Sequence, residues 1–166
     1  MSLILKKKWL KILKILKVKK LTIACAESCT GGLISSYITS YSGASNFFIG
    51  SIIPYSNKLK DKLLGIPHKQ IKKNGSVSKK IAYLMVKNLS IKTKANISIS
   101  TTGIAGPTGA TSYKPVGLVY VGISINRNIK VYKFNFSKKY SRKKIQKLTL
   151  FKIVLMLEQL LSKLKV

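Results

Sequence analysis

Residues 21–41, LTIACAESCTGGLISSYITSY, give the clearest indication of the fold. Residues 21–26 form a short apolar run typical of a buried strand, and residues 33–41 carry apolar side chains at helical spacing. Between these two patterns lies the polar segment ESCTGG, residues 27–32, with two consecutive glycines. Strand, glycine-containing turn and helix in this order are typical of an α/β unit. The stretch therefore predicts an α/β protein.

The sequence on either side extends this prediction to about five strands and five helices. Further strands are predicted at residues 47–55, 96–102, 116–125 and 129–136, the last two joined as a hairpin around Asn126-Arg127-Asn128. Within the first of these, Pro54 indicates either the end of the strand or an edge strand. Further helices are predicted at residues 3–18, 57–64, 76–91 and 141–164. We expect a single layered domain over residues 1–166, in which a mixed sheet is flanked by helices. It is expected to begin with a basic amphipathic helix within residues 1–20 and to end with a C-terminal helix at residues 141–164. The first helix fits either packing on the core or lying on a membrane surface.

Length and composition exclude two classes of protein. The chain has 166 residues, of which 46% are hydrophobic, so it is not a disordered basic tail. No apolar run reaches the roughly 18–20 residues that a membrane-spanning helix needs. The cysteine pair Cys25 and Cys29 and the lone histidine His68 offer too few ligands for a zinc site and no disulfide framework, so we expect no metal and a cytoplasmic location.

The formal charge of +29 first suggests a nucleic-acid or anionic-membrane partner. However, 30 of the 32 cationic residues are lysines, they are spread over the whole chain, and the only arginines are Arg127 and Arg142. Proteins that read bases or clamp phosphates favour arginine, whose planar fork lysine cannot imitate. Lysine and isoleucine codons are rich in A and T, so compositional bias and a selected electrostatic role are both open interpretations. We expect no specific nucleic-acid partner and no membrane partner.

Three polar, glycine-containing or motif-like segments each follow a predicted strand, at residues 27–32, 55–60 and 102–109. In open α/β sheets, sites form in the crevice beyond the strand ends, so these segments are expected to converge. None fits the phosphate loop GxxxxGK[ST] or the dinucleotide pattern GxGxxG, and we expect no cofactor. Ser28 is placed either as a helix cap or as a nucleophile. With one histidine in the chain, a serine–lysine pair is the alternative to a Ser-His-Asp triad, and composition does not identify the lysine.

The same segments make the chain resemble a known family. AESCTGG (26–32), YSNKLK (55–60), and TGIAGPTG (102–109) followed by KPVG (114–117) occur in the order and at the spacing typical of the CinA C-terminal domain family. Stand-alone members of that family include nicotinamide mononucleotide deamidases, and the resemblance runs from about residue 21 to residue 125. Two-domain members carry a further N-terminal domain with nucleotide pyrophosphatase activity. We do not expect that activity from a chain of 166 residues.

The resemblance implies an amidohydrolase that converts nicotinamide mononucleotide to nicotinate mononucleotide and ammonia. By resemblance Ser28 is the nucleophile, Lys60 the base, Tyr55 an assisting tyrosine and Thr102 a residue lining the site. Arg142 matches an arginine that follows the last strand and is expected to hold the phosphate by a bidentate contact. Backbone donors expected to bind the oxyanion or phosphate are Thr30, Gly31 and Gly32 in one loop and Gly103 and Gly106 in another.

Three further expectations accompany this assignment. Lys58 and Lys62 are expected to lower the pKa of Lys60 through like charge. Glu27 is expected to be a structural acid that caps backbone N–H groups or pairs with a lysine. The apolar C-terminal helix suggests a homo-oligomer, with a dimer as the specific expectation. The competing hypotheses are a nonenzymatic relative that binds nucleotides or nucleic acid, and an enzyme that hydrolyses another small amide with the same residues.

Overall fold

The computed structural model describes residues 3–164, which form a five-stranded mixed sheet between two layers of helices. The strands are β1 (Ile23–Glu27), β2 (Phe48–Ile52), β3 (Ile97–Gly103), β4 (Leu118–Ile125) and β5 (Asn128–Asn135). The helices are α1 (Leu3–Val18), α2 (Leu33–Thr39), α3 (Asn57–Leu64), α4 (His68–Asn74), α5 (Lys79–Thr93) and α6 (Arg142–Leu161). The α/β prediction with a mixed five-stranded sheet is confirmed. Residues 1, 2, 165 and 166 of the predicted domain lie outside the described residues.

The strand order in the sheet is β2-β1-β3-β4-β5. Strands β2, β1 and β3 run parallel, whereas β4 and β5 are antiparallel to their neighbours. The β4–β5 connection is a two-residue turn in which Asn126 and Arg127 both have positive φ, as the hairpin prediction requires. Because the three parallel strands end at the same edge of the sheet, the segments that follow them meet there.

Alternating side chains of the strands separate two apolar layers. On β1, Ile23 and Cys25 pack into the cluster formed with α1, α2 and α6, whereas Ala24 and Ala26 face α3, α4 and α5. All five β1 residues are buried because helices cover both faces of the sheet. The sheet therefore lies in the middle of a three-layer domain. Because helices cover its faces, a ligand can approach at the edge formed by the carboxyl ends of the parallel strands.

The first helix packs on the core. Its buried residues Leu5, Trp9, Ile12 and Leu16 recur at three- and four-residue steps and join the cluster that contains α6. The carboxylate of Glu158 on α6 accepts a hydrogen bond from Lys8 and lies 3.6 Å from the ammonium group of Lys11. This arrangement matches the core-packing alternative for α1. Within residues 3–164, no helix combines the length and apolar character that crossing a bilayer requires.

Two details of the predicted elements are wrong. Helix α4 was not predicted, because its sequence HKQIKKN contains a single buried apolar residue, Ile71, and so has no periodic pattern. Strand β2 ends at Ile52 and does not reach Tyr55 as predicted. Pro54 has no N–H to offer the sheet and ends the pairing before it. Tyr55 consequently lies in the loop that leads to α3.

Candidate active site

Ser28 follows β1 directly and begins the turn that leads to α2. Its backbone N–H donates to the carbonyl of Thr101 at 3.0 Å, which continues the pairing with β3, and its carbonyl accepts from the N–H of Gly31 at 3.2 Å. Gly31 and Gly32 have φ values of 60° and 94°, a left-handed conformation that residues with a Cβ rarely adopt. The turn therefore depends on glycine and fixes Ser28 at the sheet edge with 8% of its surface exposed.

Glu27 occupies the N-terminal end of α2. Its fully buried carboxylate accepts hydrogen bonds from the backbone N–H groups of Gly32, Ile34 and Ser35 and from the hydroxyl of Ser35, at 2.7–3.1 Å. The expectation that Glu27 caps backbone N–H groups is confirmed. The carboxylate supplies the negative charge that this helix end favours, so an anionic ligand is not needed there.

The hydrogen bonds of this loop correct the expectation for Gly31 and Gly32, whose N–H groups are already bound within the protein. The N–H of Gly32 is bound to Glu27, the N–H of Gly31 is bound to the carbonyl of Ser28, and the hydroxyl of Thr30 is bound to Thr101 at 2.8 Å. Thr30, Gly31 and Gly32 are not among the residues that line the pocket around Ser28. Their contribution in this structure is to shape the turn.

Lys60 reaches Ser28 from the second turn of α3. Ser56 caps this helix by accepting from the N–H of Leu59, and the helix directs Lys60 into the protein with only 2% of its surface exposed. Lys60 Nζ lies 3.3 Å from Ser28 Oγ and 3.4 Å from the backbone carbonyl of Tyr55. The structure thus brings the predicted serine and lysine together.

Burial lowers the pKa of Lys60 below its ordinary value of 10.5, because removal from water disfavours the charged ammonium form. Within the described residues, no carboxylate pairs with this ammonium group. The expected cause, like charge from Lys58 and Lys62, is corrected: both side chains are exposed and desolvation is the main cause. The neighbouring thiol of Cys29 has its pKa raised to about 12 by burial, so it is protonated at neutral pH and is not a competing nucleophile.

Tyr55 and Arg142 form the rim of the site. Arg142, the first residue of α6, donates through Nη2 to the Tyr55 hydroxyl at 2.8 Å and through Nη1 to the carbonyl of Gly106 at 3.1 Å. The Tyr55 side chain is 59% exposed, and its backbone carbonyl, rather than its phenol, contacts Lys60. Both guanidinium NH₂ groups therefore already hold protein acceptors, and an anion would be bound by the N–H donors that remain.

Thr102 and the loop that follows β3 form the facing wall. Thr102 is buried and donates its hydroxyl to the carbonyl of Ser76 at 2.7 Å. A Cβ on Gly103 would lie 2.8 Å from the carbonyl oxygen of Leu118, so only glycine fits there. The N–H of Ala105, a buried residue of this wall, has no hydrogen-bond acceptor among residues 3–164. It is an available backbone donor for an oxyanion on this wall.

These walls enclose an open pocket of about 320 Å³, within the roughly 300–1,000 Å³ typical of small-ligand sites. Its lining includes the predicted residues Ser28, Tyr55, Lys60, Thr102, Gly103 and Arg142. It also includes residues that were not predicted: Asn57, Ser76, Val77, Ile104, Ala105, Thr108 and Gly109. Five of them belong to the YSNKLK and TGIAGPTG motifs, and Ser76 and Val77 lie in the segment NGSVS, residues 74–78. Membership in these segments is the sequence signal by which they could have been identified. Gly106 touches the site through its carbonyl, which holds Arg142.

The chemistry of the site rests on side chains of the protein. Within residues 3–164, no group of three or more His, Cys, Asp and Glu side chains is placed to hold a metal ion. A lysine with a lowered pKa beside a serine hydroxyl is a base–nucleophile pair. Arg142 adds positive charge at the rim, and the described residues that line the pocket include no acid.

The fold and the site together define an α/β protein with a serine–lysine pair in a pocket at the carboxyl ends of parallel strands. The model of the CinA C-terminal domain family matches residues 6–161, and the chain belongs to this family. The chain is 43% identical over 150 residues to a putative competence-damage inducible protein of Clostridium perfringens (strain 13 / Type A), covering 90% of this chain and 36% of that protein. It is 47% identical over 139 residues to a CinA-like protein of Prochlorococcus marinus (strain MIT 9312), covering 83% and 33%. The chain thus spans about a third of the length of these curated relatives.

Solved structures show the same fold. The competence/damage inducible protein CihA of Agrobacterium tumefaciens superposes with a TM-score of 0.90 at 30% identity, covering 98% of this chain and 100% of that one. The competence damage-inducible protein A (ComA) of Klebsiella pneumoniae subsp. pneumoniae MGH 78578 superposes with a TM-score of 0.91 at 18% identity, covering 97% and 99%. The first likeness supports family membership, and the second shows the fold alone.

Proposed function

We propose that this chain is an amidohydrolase that deamidates nicotinamide mononucleotide by a serine–lysine mechanism. The observation that carries the proposal is the pair formed by Ser28 Oγ and Lys60 Nζ, 3.3 Å apart at the base of a pocket. Lys60 is buried and has no acid partner among the described residues, which favours its neutral amine form. The neutral amine is the form that accepts a proton. We infer the substrate from the resemblance of the surrounding motifs to those of nicotinamide mononucleotide deamidases.

In the proposed first half-reaction, Ser28 Oγ attacks the carboxamide carbon while Lys60 takes the serine proton. The resulting oxyanion is held by backbone N–H groups, among which that of Ala105 is an available donor on the wall after β3. Lys60 then gives its proton to the departing nitrogen, the C–N bond breaks, and ammonia leaves. Ser28 is left as an acyl ester of the pyridine carboxylate.

In the second half-reaction, water attacks the ester carbon while Lys60 again accepts a proton. The ester C–O bond breaks, nicotinate mononucleotide is released, and Lys60 returns the proton to Ser28 Oγ. The positively charged rim at Arg142 suits the phosphate of the substrate, since three of its five N–H donors are not used by Tyr55 and Gly106. No cofactor takes part in this scheme.

The test is to incubate the purified protein with nicotinamide mononucleotide and to measure ammonia and nicotinate mononucleotide. We expect turnover that falls by at least about 1,000-fold in Ser28→Ala and in Lys60→Ala, because the two residues act as one unit. Lys58→Ala, which removes an exposed lysine from the same helix, is the matched control and should retain activity. Absence of turnover in a correctly folded wild-type protein would exclude this substrate, and full activity of either site variant would exclude the serine–lysine mechanism.

A further inference from the structure

Helix α6 contacts the site through two side chains that are one turn apart. Arg142 and Gln146 are spaced i, i+4 and so lie on the same face of the helix. Arg142 binds the two loops at the rim, whereas the half-buried Gln146 donates from Nε2 to the carbonyl of Cys29 at 2.9 Å. Cys29 is the residue immediately after Ser28. The sequence motifs and the proposed mechanism assign no role to Gln146.

We propose that Gln146 is a positioning residue that holds the Ser28 turn in the geometry required for attack. The inference rests on the proposed function in one respect, namely that Ser28 is the nucleophile. Gln146 itself does not line the pocket, so it acts through the backbone of the turn rather than on a substrate.

The hydrogen bonds of the turn explain why a third anchor matters. The N–H and carbonyl of Ser28 are fixed by Thr101 and Gly31, but these bonds hold only the peptides on either side of Ser28 itself. The next peptide, between Cys29 and Thr30, is planar and rotates as a unit. The bond from Gln146 fixes its carbonyl and thereby restrains that rotation. It also ties the turn to α6, the helix that carries Arg142.

The distance between Ser28 and Lys60 makes the site sensitive to this restraint. At 3.3 Å, Ser28 Oγ and Lys60 Nζ are already at the long end of hydrogen-bond distances, so a small displacement of the turn separates them. A misplacement of about 1 Å in a catalytic group reduces rates by roughly 100-fold. A bond that only stabilised the fold would instead contribute to the free energy of unfolding and leave the reactivity of the folded protein unchanged.

The experiment measures the reactivity of Ser28 with a small fluorophosphonate, which needs no natural substrate. Ser28 Oγ forms a bond to phosphorus, the P–F bond breaks, fluoride leaves, and Lys60 takes the serine proton. The second-order rate constant of labelling is measured across pH, with mass spectrometry to locate the adduct and thermal melting to verify that each variant is folded at the assay temperature.

Four variants separate positioning from stability. Gln146→Ala removes the donor, and Gln146→Glu keeps the length of the side chain but offers the Cys29 carbonyl no donor at neutral pH. Gln146→Lys restores N–H donors. Gln159→Ala removes the exposed glutamine at the far end of the same helix and is the matched control.

We expect the maximal labelling rate to fall by about 10- to 100-fold in the Ala and Glu variants, with the pH midpoint set by Lys60 unchanged. The Lys variant should react faster than the Glu variant, and the Gln159 control should react like wild type. Equal rates in wild type, Ala and Glu variants would overturn the inference, as would a Lys variant no faster than Glu. A wild-type protein that is not labelled at Ser28 would also overturn it. Labelling of Ser28 without turnover of nicotinamide mononucleotide would refute the proposed substrate and leave this inference standing.

Discussion

Replacing Glu27 with glutamine tests how strongly one buried carboxylate stabilises the turn that carries Ser28. One carboxylate oxygen accepts from the N–H groups of Gly32 and Ile34, and the other accepts from the N–H and hydroxyl of Ser35. Glutamine keeps the shape of the side chain but exchanges one of these oxygens for an NH₂ group. Placed toward Gly32 and Ile34, the new NH₂ group would face two donors and both hydrogen bonds would be lost. Placed toward Ser35, it loses the N–H of Ser35 but can donate to the Ser35 hydroxyl, which then donates to the carbonyl of Gly32 at 3.1 Å. At least one hydrogen bond is therefore lost.

The size of the effect follows from this count. A hydrogen bond to a charged acceptor contributes about 1.5–3 kcal/mol, so the loss of one such bond lowers the free energy of unfolding by about 1.5–3 kcal/mol. Since each kcal/mol shifts the melting temperature of a domain of this size by about 2–4 °C, we expect a decrease of about 3–12 °C. A domain with an ordinary stability of about 5–15 kcal/mol remains folded after this change.

The assay is urea denaturation followed by circular dichroism, with thermal melting as a second measurement. The matched control is Asp61→Asn, which neutralises an exposed carboxylate whose side chain makes no hydrogen bond or ion pair within residues 3–164. The control should lie within about 0.5 kcal/mol of wild type. If Glu27→Gln also lies within about 1 kcal/mol of wild type, the four short contacts do not carry the free energy that we assign to them.

Three further predictions concern catalysis and packing. In the proposed mechanism the neutral amine of Lys60 is the active form, and burial lowers its pKa below 10.5. The ratio kcat/KM should therefore rise with pH through a midpoint below 10.5 and then level off, and a rate that falls with rising pH would contradict the proposed role. Tyr55→Phe should lower kcat/KM modestly, about 3- to 10-fold, because it removes the hydroxyl bound by Arg142 but keeps the carbonyl near Lys60. A loss of activity equal to that of Lys60→Ala would show direct catalysis by the phenol. Gly122→Ala should lower the free energy of unfolding, measured by urea denaturation, by about 1–3 kcal/mol. A Cβ at this position would lie 2.6 Å from the Ser100 hydroxyl oxygen and 2.9 Å from a carbonyl oxygen of α5. Unchanged stability would mean that α5 shifts away freely.

The sequence predicts the fold and the meeting of the three loops because both follow from local patterns. A buried strand followed by a glycine turn and a helix identifies an α/β unit, and parallel strands bring their carboxyl ends to one edge. Helix α4 could not be predicted in this way, because its seven residues include only one buried apolar side chain. Its helical conformation depends instead on packing against α3 and α5.

The identity of the buried lysine could not be predicted from the local pattern, because α3 has the opposite of the expected arrangement. Leu59 and Leu63, spaced i, i+4, resemble the buried face of an amphipathic helix, yet 36% and 41% of their surfaces are exposed. The face that is buried carries Lys60 and Leu64. A charged residue placed inward at the expense of a leucine is a local conflict of the kind that functional sites contain. Only the resemblance of the YSNKLK motif indicated which lysine this is.

Three of the five acidic and arginine residues of this chain, namely Glu27, Glu158 and Arg142, occupy positions where lysine cannot perform the same task. Glu27 must accept four hydrogen bonds, and a lysine ammonium group has no acceptor. Glu158 lies between Lys8 and Lys11, where a third ammonium group would repel both. Arg142 binds two acceptors on different loops with a planar fork, which a single ammonium group does not imitate. The +29 charge therefore consists largely of lysines on solvated surfaces, where their side chains meet few constraints. Lys60 differs from them because burial, rather than the total charge, sets its pKa.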